Sequence, residues 1–457
     1  PLEKEVAVDP EMLGKVFENL LEVKDRKSKG TFYTPREIVH FMCQESLINF
    51  LNTELKESIS REAIEALIRN GSQIIQNDAI VLEKGREGTY KYLLPESIRT
   101  CARELDQALA DIKVCDPAVG SGAFPLGMLN EIVQARQALA VHIRSDQSVF
   151  NVKLHSISHS LYGVDIDPGA VEIAKLRLWL ALVVEENEPH PLPNLEHKVM
   201  QGNSLISEYE GVKLFDETFL EGANHRENER AHVESRLSEL QREYFALHSQ
   251  DALPPVKKEQ LEREIRLLNK MKKSLNAPNE LQGQELGIFD DPGKFDQEHE
   301  KTQKLQSKIS LSVAESQKTM KQILKNEIEN LKWDLIERTL LNQGRSDTLS
   351  DIRKQRSRNI RPFFIWRLEF SDVFKEKGGF DIIIGNPPYV SYGLRGGQSI
   401  SGDEKKVFKD NYPNSAEYKI SMYAMFIDRG IQLAKKNGGV QSFIVPDSFL
   451  LGRYFSK

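Results

Sequence analysis

The chain has 457 residues, of which 39% are hydrophobic and 28% are charged, and its formal net charge is −6. At about 150 residues per domain, this length suggests about three domains. The composition excludes a chain that is disordered throughout, because it supplies enough apolar residues for a sizeable core. No apolar run reaches the roughly 18 residues of a membrane-spanning helix. Three cysteines cannot form a disulfide framework, which favours the reducing cytoplasm. The acidic balance argues against a chain coated in nucleic-acid-binding surface, although it leaves room for a local basic cleft.

Residues 1–110 are predicted to be mainly helical. One helix start is marked by Thr34-Pro35, which precedes apolar residues at helical spacing. Pro35 suits the first helical position and Thr34 suits the N-cap. Glu37, three residues after Thr34, would complete a capping box. The sequence therefore predicts a helix that begins at Pro35 and is capped by Thr34.

Beyond this segment, short apolar runs alternate with helical segments. The predicted strands are Ile112–Asp116, Leu161–Asp165, Lys198–Gln201, Phe380–Gly385 and Val440–Val445. This alternation predicts an α/β fold in which a parallel sheet is covered by helices on both faces. Several of these strands end at polar residues, which would meet at the carboxyl edge where open sheets bind ligands.

A long polar segment separates the third and fourth predicted strands. Its apolar residues recur every three or four positions, which predicts a coiled-coil-like helical insertion. A packed helical appendage is the simpler interpretation, and an arm for DNA or a partner is the alternative. The predicted organisation is a helical N-terminal segment (1–110), a first part of the sheet domain (111–224), the insertion (225–360) and a second part of the sheet domain (361–457).

The segment from Asp116 to Gly122, Asp-Pro-Ala-Val-Gly-Ser-Gly, follows a predicted strand and opens a helix. Its glycines allow close approach of the backbone to a ligand, and the helix start offers free N–H groups. Asp165 ends the next strand, where a carboxylate can accept hydrogen bonds from both hydroxyls of a ribose. A helix cap is the alternative role for Asp165. No Lys-Ser/Thr ending of a P-loop follows, so the pattern favours a nucleoside-bearing cofactor other than ATP.

The motif Asn386-Pro387-Pro388-Tyr389 directly follows a strongly apolar strand. Its two prolines restrict the backbone, so the Asn386 amide oxygen and the Pro387 carbonyl oxygen are held as acceptors. Such a pair can bind both hydrogens of a planar amino group, which would favour a pyramidal nitrogen with a localised lone pair. Tyr389 could stack on a flat base or amide. The motif predicts methyl transfer to nitrogen, and a polar loop ended by prolines is the alternative.

Three other patterns favour structural roles. Cys43 lies on a predicted helix, far from the place of a cytosine-methyltransferase nucleophile, and Cys115 lies in a strand, so both are predicted to be core residues. A nuclease-like pattern at residues 9–24 has its Asp-Pro in reversed order and reads as helix. His155 and His159 share helical spacing but have no further ligands to complete a metal site, so none is predicted.

The ordered motifs resemble those of the gamma-class DNA adenine-N6 methyltransferases. They are Phe32–Pro35, Asp116–Gly122, Gly163–Asp165, Gly202–Asn203 and Asn386–Tyr389. The segments Phe364–Phe370 and Gly378–Asp381 are similar to parts of the large type IIG restriction–modification enzymes and of the BREX phage-defence methyltransferase PglX. The resemblance implies a Rossmann-like S-adenosylmethionine-dependent methyltransferase sheet and transfer of a methyl group to adenine N6 in double-stranded DNA. The target adenine would leave the base stack, and the protein would work in the cytoplasm of a bacterium or archaeon.

The resemblance also implies roles for single residues. Thr34 and the backbone of the glycine motif would contact the methionine end of the cofactor, Asp165 the ribose, Ile166 the adenine ring and Asn203 the adenine amino group. Many relatives have Asp at the position of Asn203. The implied cofactor-binding residues are Thr34, Asp116, Ala118, Gly120, Gly122, Asp165, Ile166 and Asn203. The implied catalytic residues, which would hold the target adenine, are Asn386, Pro387, Pro388 and Tyr389.

Two alternatives remain at this point. One is a methyltransferase that acts on RNA or on protein glutamine, and the other is a DNA-binding assembly module without turnover. The resemblance further implies specificity, restriction or phage-defence subunits as partners, and a recognition domain beyond Lys457. Because that domain would supply much of the DNA contact, these 457 residues are expected to bind DNA weakly.

Overall fold

The structure is a computed structural model. It describes residues 13–14, 34–55, 59–84, 91–143, 148–185, 193–209, 212–214, most of 325–357, 363–392, 400, 402–416 and 420–447. The chain divides into two units, Pro1–Glu234 with Asp334–Lys457, and Ser235–Trp333. In the second unit the described residues are helical and lie between 325 and 333. All the elements named here belong to the first unit.

The described residues form helices and short strands that alternate along the sheet domain. The helices are α1 Arg36–Glu54, α2 Arg61–Arg69, α3 Gly71–Lys84, α4 Glu96–Thr100, α5 Ala102–Asp111, α6 Ala123–Ile143, α7 Val149–His159, α8 Pro168–Val183, α9 Ser346–Ser357, α10 Trp366–Glu369, α11 Ser371–Lys377, α12 Gly402–Asn411 and α13 Met422–Leu433. The strands are β1 Val114–Asp116, β2 Leu161–Asp165, β3 Val199–Gln201, β4 Glu208–Tyr209, β5 Val212–Lys213, β6 Ile382–Gly385, β7 Ser391–Tyr392, β8 Ile420–Ser421 and β9 Val440–Phe443.

The predicted parallel sheet is confirmed. Among the described residues its strand order is β3-β2-β1-β6-β9, and every neighbouring pair is parallel. Val114 pairs with Leu161 on one side and with Ile382 on the other. The five predicted strands are the five strands of this sheet, shortened at some ends. Two antiparallel ribbons, β4 with β5 and β7 with β8, stand apart from it.

Helices and loops bury both faces of the sheet, as the apolar strands predict. Successive side chains of a strand point to opposite faces, and β6 shows the result. Ile382 and Ile384 pack into the core that includes α1 and α6, whereas Ile383 packs with Tyr162 and Phe370 on the opposite face. A polar side chain on either face of such a strand would be buried without water.

The first described turn of α1 corrects one prediction. The helix begins at Arg36, and Pro35 is the N-cap, with φ −56° and ψ 143° and no side-chain capping bond. The Pro35 carbonyl oxygen accepts from the backbone N–H groups of Ile38 and Val39. The predicted cap by Thr34 and the capping box with Glu37 are therefore wrong. The physical reason is that Thr34 lies one residue before the cap position, where its hydroxyl oxygen accepts a hydrogen bond from Asn386 instead.

Several predictions lie outside the described residues. They include Phe32 and Tyr33, the nuclease-like Asp9, Glu22 and Lys24, and the coiled-coil-like stripes between 225 and 324. Within the predicted insertion, residues 346–357 form α9. In the described ranges, no helix combines the length and the hydrophobicity that crossing a membrane requires.

Candidate functional site

The strand order brings the predicted site residues to one edge of the sheet. The chain passes from β1 to β2 and β3 on one side and returns to β6 on the other side of β1. In open parallel sheets, the crevice at such a reversal, beyond the carboxyl ends of the strands, is where ligands bind. Asp116 ends β1, Asp165 ends the adjacent β2, and Asn386 directly follows β6. Sequence positions more than 200 residues apart thus meet at one crevice.

The two glycines of the loop after β1 have different surroundings. Both adopt left-handed backbone angles, φ +50° at Gly120 and φ +86° at Gly122, a region that favours glycine. A Cβ on Gly122 would lie 2.9 Å from the Cβ of Ala174 on α8. At Gly120 the nearest atom to such a Cβ is the Ala118 carbonyl oxygen, 4.0 Å away. Gly122 therefore permits close helix packing, whereas Gly120 faces open space.

Asp116 is buried beneath this loop rather than facing the open crevice. Its side chain is 2% exposed, and Oδ1 accepts from the backbone N–H of Ala118 at 2.9 Å. A Cβ on Gly385 would lie 2.5 Å from the same oxygen. Burial raises the pKa of Asp116 well above its usual value. Asp116 therefore shapes the loop. Its position depends on Gly385, a residue that was not predicted from the sequence although it directly precedes Asn-Pro-Pro-Tyr.

Asp165 ties the glycine loop to the end of β2. Its Oδ2 accepts from the Gly120 N–H at 2.8 Å, and its Oδ1 accepts from the Asp167 N–H at 2.9 Å. Asp167, not Asp165, caps α8 by accepting from Gly169 and Ala170, so the helix-cap alternative for Asp165 is wrong. Burial raises the pKa of Asp165. A carboxylate has lone pairs beyond these two bonds, so it can still accept from a ligand.

Beside Asp165 the structure exposes an apolar side chain. Ile166 is 63% exposed at the carboxyl edge, which suits contact with a flat ring. Asn203 lies in the turn after β3, and its Oδ1 accepts from the Leu205 N–H at 3.0 Å.

The turn after β3, which carries Gly202 and Asn203, is held by the aromatic segment Phe364–Phe370. A Cβ on Gly202 would lie 2.2 Å from the ring of Phe364, and the Trp366 indole N–H donates to the Ser204 carbonyl at 3.1 Å. Phe364, Trp366 and Phe370 are all buried in the core on one face of the sheet. The segment Phe364–Phe370, which carried the resemblance to the subfamily, therefore supports the Gly202–Asn203 turn from the core.

Of the two polar atoms of the Asn386 side-chain amide, one has a hydrogen-bond partner and the other has none among the described residues. Its Nδ2 donates to the Thr34 Oγ1 at 3.1 Å, although 352 positions separate the two residues. Its Oδ1 is buried and has no hydrogen-bond partner among the described residues. Buried polar atoms in native proteins are nearly always paired, so an exception of this kind points to a ligand or a catalytic role.

The rest of the Asn-Pro-Pro-Tyr motif is anchored by its neighbours. Pro387 is buried, while Pro388 and Tyr389 are half-buried. The Tyr389 hydroxyl donates to the Ile444 carbonyl at 3.2 Å, and its ring is nearly perpendicular to that of Tyr423, with centroids 6.3 Å apart. Burial raises the pKa of Tyr389. The ring is thus fixed by contacts at its hydroxyl and with Tyr423.

A cavity of about 250 Å³ lies between the start of α1, α6 and α8. Its lining includes Thr34, Ser121, His40, Glu131 and Arg177. The Arg177 guanidinium donates to the Ser121 carbonyl at 2.8 Å, and Glu131 accepts from His40 and Gln44. Arg177 and Glu131 were not predicted from the sequence. Each lies among apolar residues of a helix, but these helices carry other charged residues too, so the sequence did not single them out.

Among the residues that the structure describes, the cysteines and histidines do not form a metal site. In the part of the chain that the structure describes, no three His, Cys, Asp or Glu side chains could hold a metal ion together. His155 and His159 stack with ring centroids 4.6 Å apart, and burial lowers the pKa of His159 to about 4. Cys43 and Cys115 are buried, which confirms the core prediction, and burial raises the pKa of both thiols.

Comparisons with known proteins assign the chain to a family. Residues 159–457 match the family model described as Eco57I restriction-modification methylase, and residues 96–214 match the MmeI DNA-methyltransferase domain. A Methanocaldococcus jannaschii protein, named as a type II restriction enzyme and methyltransferase, is 30% identical over 467 residues. That alignment covers 99% of this chain and 35% of the relative, so the chain spans about a third of the relative's length. Because the first match includes more than half of the residues, the chain belongs to the Eco57I restriction-modification methylase family.

Proposed function

We propose that the protein transfers a methyl group from S-adenosylmethionine to the exocyclic N6 amine of adenine in double-stranded DNA. The observation that carries this proposal is the buried, unpartnered Oδ1 of Asn386 at the crevice beyond β1 and β6. An amino group that enters the crevice would satisfy this acceptor. The restriction–modification methylase family and the overlapping DNA-methyltransferase match support DNA as the substrate.

The residues around the crevice fit S-adenosylmethionine. Gly120 leaves open space where any other residue would place a Cβ, which suits the methionine end of the cofactor. Asp165 would accept from the ribose, and the exposed Ile166 would contact the adenine ring. Asn203 would meet the adenine amino group, with Ala118, Gly122 and Asp116 shaping the loop. When bound, the cofactor supplies an electrophilic methyl group on a sulfonium.

The chain's own groups would then prepare the amine. Asn386 Oδ1 and the Pro387 carbonyl oxygen would each accept one of its hydrogens, which localises the nitrogen lone pair. As the nitrogen gains the methyl group it becomes positive, and these two oxygens stabilise that charge before one proton is lost to water. The adenine must leave the duplex for its amine to reach this depth, and Tyr389 would stack on the extruded base.

Two alternatives use the same groups differently. A methyltransferase for RNA or protein glutamine would also present a planar amine or amide to Asn386. A DNA-binding assembly module would retain the fold without turnover. The restriction–modification family match favours DNA over RNA or protein. Specificity or restriction subunits are the partners that such a system would supply.

The proposal is tested by methyl incorporation into duplex DNA, RNA and protein in parallel. We expect label in DNA, recovered as N6-methyladenine. Asn386→Ala should lower kcat by roughly 100- to 1,000-fold, the usual effect of removing one group that stabilises developing charge. Asn151→Ala, on the exposed face of α7, is the control and should match wild type.

The alternatives give different results. Label in RNA or protein but not in DNA would favour the first alternative. Heat of S-adenosylmethionine binding without methylation of any substrate, or no heat at all from a folded protein, would favour the assembly module.

A further inference from the structure

We propose that Thr34 is a positioning residue that holds the amide of Asn386 in the orientation presenting Oδ1 to the target amine. The proposal rests on the proposed function, because it assigns a purpose to the catalytic amide. Two observations carry it: the hydrogen bond from Asn386 Nδ2 to Thr34 Oγ1 at 3.1 Å, and the buried Oδ1 with no partner among the described residues. Thr34 is 7% exposed, so water competes weakly for its hydroxyl.

The two ends of an amide are similar in shape but opposite in hydrogen bonding. If the Asn386 side chain turned by half a revolution, its NH₂ group would face the incoming amine, and two donors would oppose each other. The bond to Thr34 would then have to be replaced by one in which the hydroxyl donates. Donation from Nδ2 also polarises the amide and strengthens Oδ1 as an acceptor, because hydrogen bonds in series reinforce one another.

The packing of α1 holds Thr34 rigidly enough to orient the Asn386 amide. It directly precedes Pro35, whose carbonyl oxygen accepts the first bonds of α1. Helix α1 lies tightly on α6, since a Cβ on Gly127 would meet the Val39 side chain at 2.5 Å. The buried Glu131 of α6 accepts from both His40 and Gln44 of α1. These contacts prevent α1 from sliding along α6 and so keep the Thr34 hydroxyl in place.

The packing of α1 on α6 also connects the glycine loop with Asn386. Helix α6 begins at Ala123, directly after the glycine loop. The loop, α6, α1 and Thr34 therefore form one continuous support that ends at Asn386. The groups that hold cofactor and target amine would then be set at a defined separation, which is the geometric requirement for an attack between two bound reactants.

This role differs from a direct contact of Thr34 with the cofactor, and kinetics separates the two. A positioning residue changes kcat, whereas a cofactor contact changes the dissociation constant of S-adenosylmethionine. Three variants of the full chain are needed: Thr34→Val, which keeps the shape but removes the hydroxyl, Thr34→Ser, which keeps the hydroxyl, and Thr53→Val as control. Thr53 lies at the other end of α1, where its exposed hydroxyl donates to the Asn49 carbonyl.

We expect Thr34→Val to lower kcat for adenine methylation by about tenfold or more, the size of one lost hydrogen bond. Calorimetry should show its S-adenosylmethionine dissociation constant unchanged within about threefold. Thr34→Ser should recover most of the lost kcat, and Thr53→Val should match wild type. Thermal unfolding of all variants identifies any loss of fold.

The proposal is overturned if a folded Thr34→Val variant keeps the wild-type kcat. It is also overturned if cofactor affinity falls as far as kcat does, or if a folded Thr34→Ser variant loses as much activity as Thr34→Val. In each of these cases the wild-type protein still methylates adenine, so the proposed function stands. A wild-type protein that methylates no adenine overturns both.

Discussion

Gly120 and Gly122 belong to the same loop and both have positive φ angles, yet a side chain at each would meet different surroundings. At Gly122 the added Cβ collides with Ala174 of α8, and at Gly120 it enters open space. The left-handed conformation itself costs about 1–2 kcal/mol for a residue other than glycine. Substitution by alanine can therefore separate the two roles that glycine has in this loop.

Gly122→Ala is expected to destabilise the fold more than Gly120→Ala, because overpacking adds about 1–3 kcal/mol to the backbone strain that both variants share. Gly120→Ala should instead lower S-adenosylmethionine affinity while the protein stays folded. Denaturant unfolding measures the first effect and calorimetry the second, each variant serving as the other's control. Equal stability losses, with cofactor binding intact in Gly120→Ala, would contradict this division of roles.

At the level of elements, the segment Phe364–Phe370 connects the core to the carboxyl edge of the sheet. Phe364 and Phe370 belong to one buried aromatic cluster, with ring centroids 5.9 Å apart. Phe364 also packs on Gly202, in the turn that carries Asn203. Phe370 lies deeper and contacts Tyr162 and Phe380.

Comparing Phe364→Leu with Phe370→Leu tests whether the aromatic segment supports the Gly202–Asn203 turn. Both remove a buried aromatic ring and should lower the free energy of unfolding by about 1–3 kcal/mol. Phe364→Leu should in addition weaken S-adenosylmethionine binding, because the Gly202–Asn203 turn loses its support. Chemical denaturation and calorimetry check the two effects. If both variants bind the cofactor as wild type does, the turn does not depend on the aromatic segment.

At the scale of the whole molecule, a buried lysine makes stability depend on pH. Lys198 is 2% exposed, and its ammonium lies 2.7 Å from the Tyr162 hydroxyl and 4.0 Å from Asp372. Other charged or titratable groups near it are Lys113, His159 and Glu376. Burial lowers its pKa from 10.5 to about 7, against the attraction of Asp372. Between these two values Lys198 binds more protons in the unfolded chain than in the folded one, so its own contribution to the free energy of unfolding rises with pH. The raised pKa values of the Cys43 and Cys115 thiols act in the opposite direction at alkaline pH, so a variant is needed to isolate the contribution of Lys198.

Urea unfolding at several pH values above 7 tests this linkage. The slope of the free energy of unfolding against pH should be more positive for wild type than for Lys198→Met, because methionine has no proton to lose. The two slopes are compared rather than the absolute stabilities, since the substitution also changes packing. Parallel slopes for the two proteins would show that Lys198 keeps its proton in the folded state.

The sequence alone predicted the parallel sheet because the signals for its strands are local. Five apolar runs alternate with helical segments, and all five are strands of the observed sheet. The cap of α1 was predicted wrongly from equally local signals. Thr34 has the residue type of an N-cap, but its hydroxyl is engaged by a side chain that is 352 positions away. Local propensity could not reveal that competing bond.

For the site, the sequence determined the chemical groups: two acids at strand ends, a glycine loop and an asparagine held by prolines. Only the tertiary structure decided how they are connected. It showed that Asp116 is buried against Gly385, that Asp165 holds Gly120, and that Asn386 turns its Nδ2 toward Thr34 and leaves Oδ1 unpaired. Residue types and spacing specify which groups are present, whereas hydrogen-bond partners depend on distances that arise only when remote segments pack together.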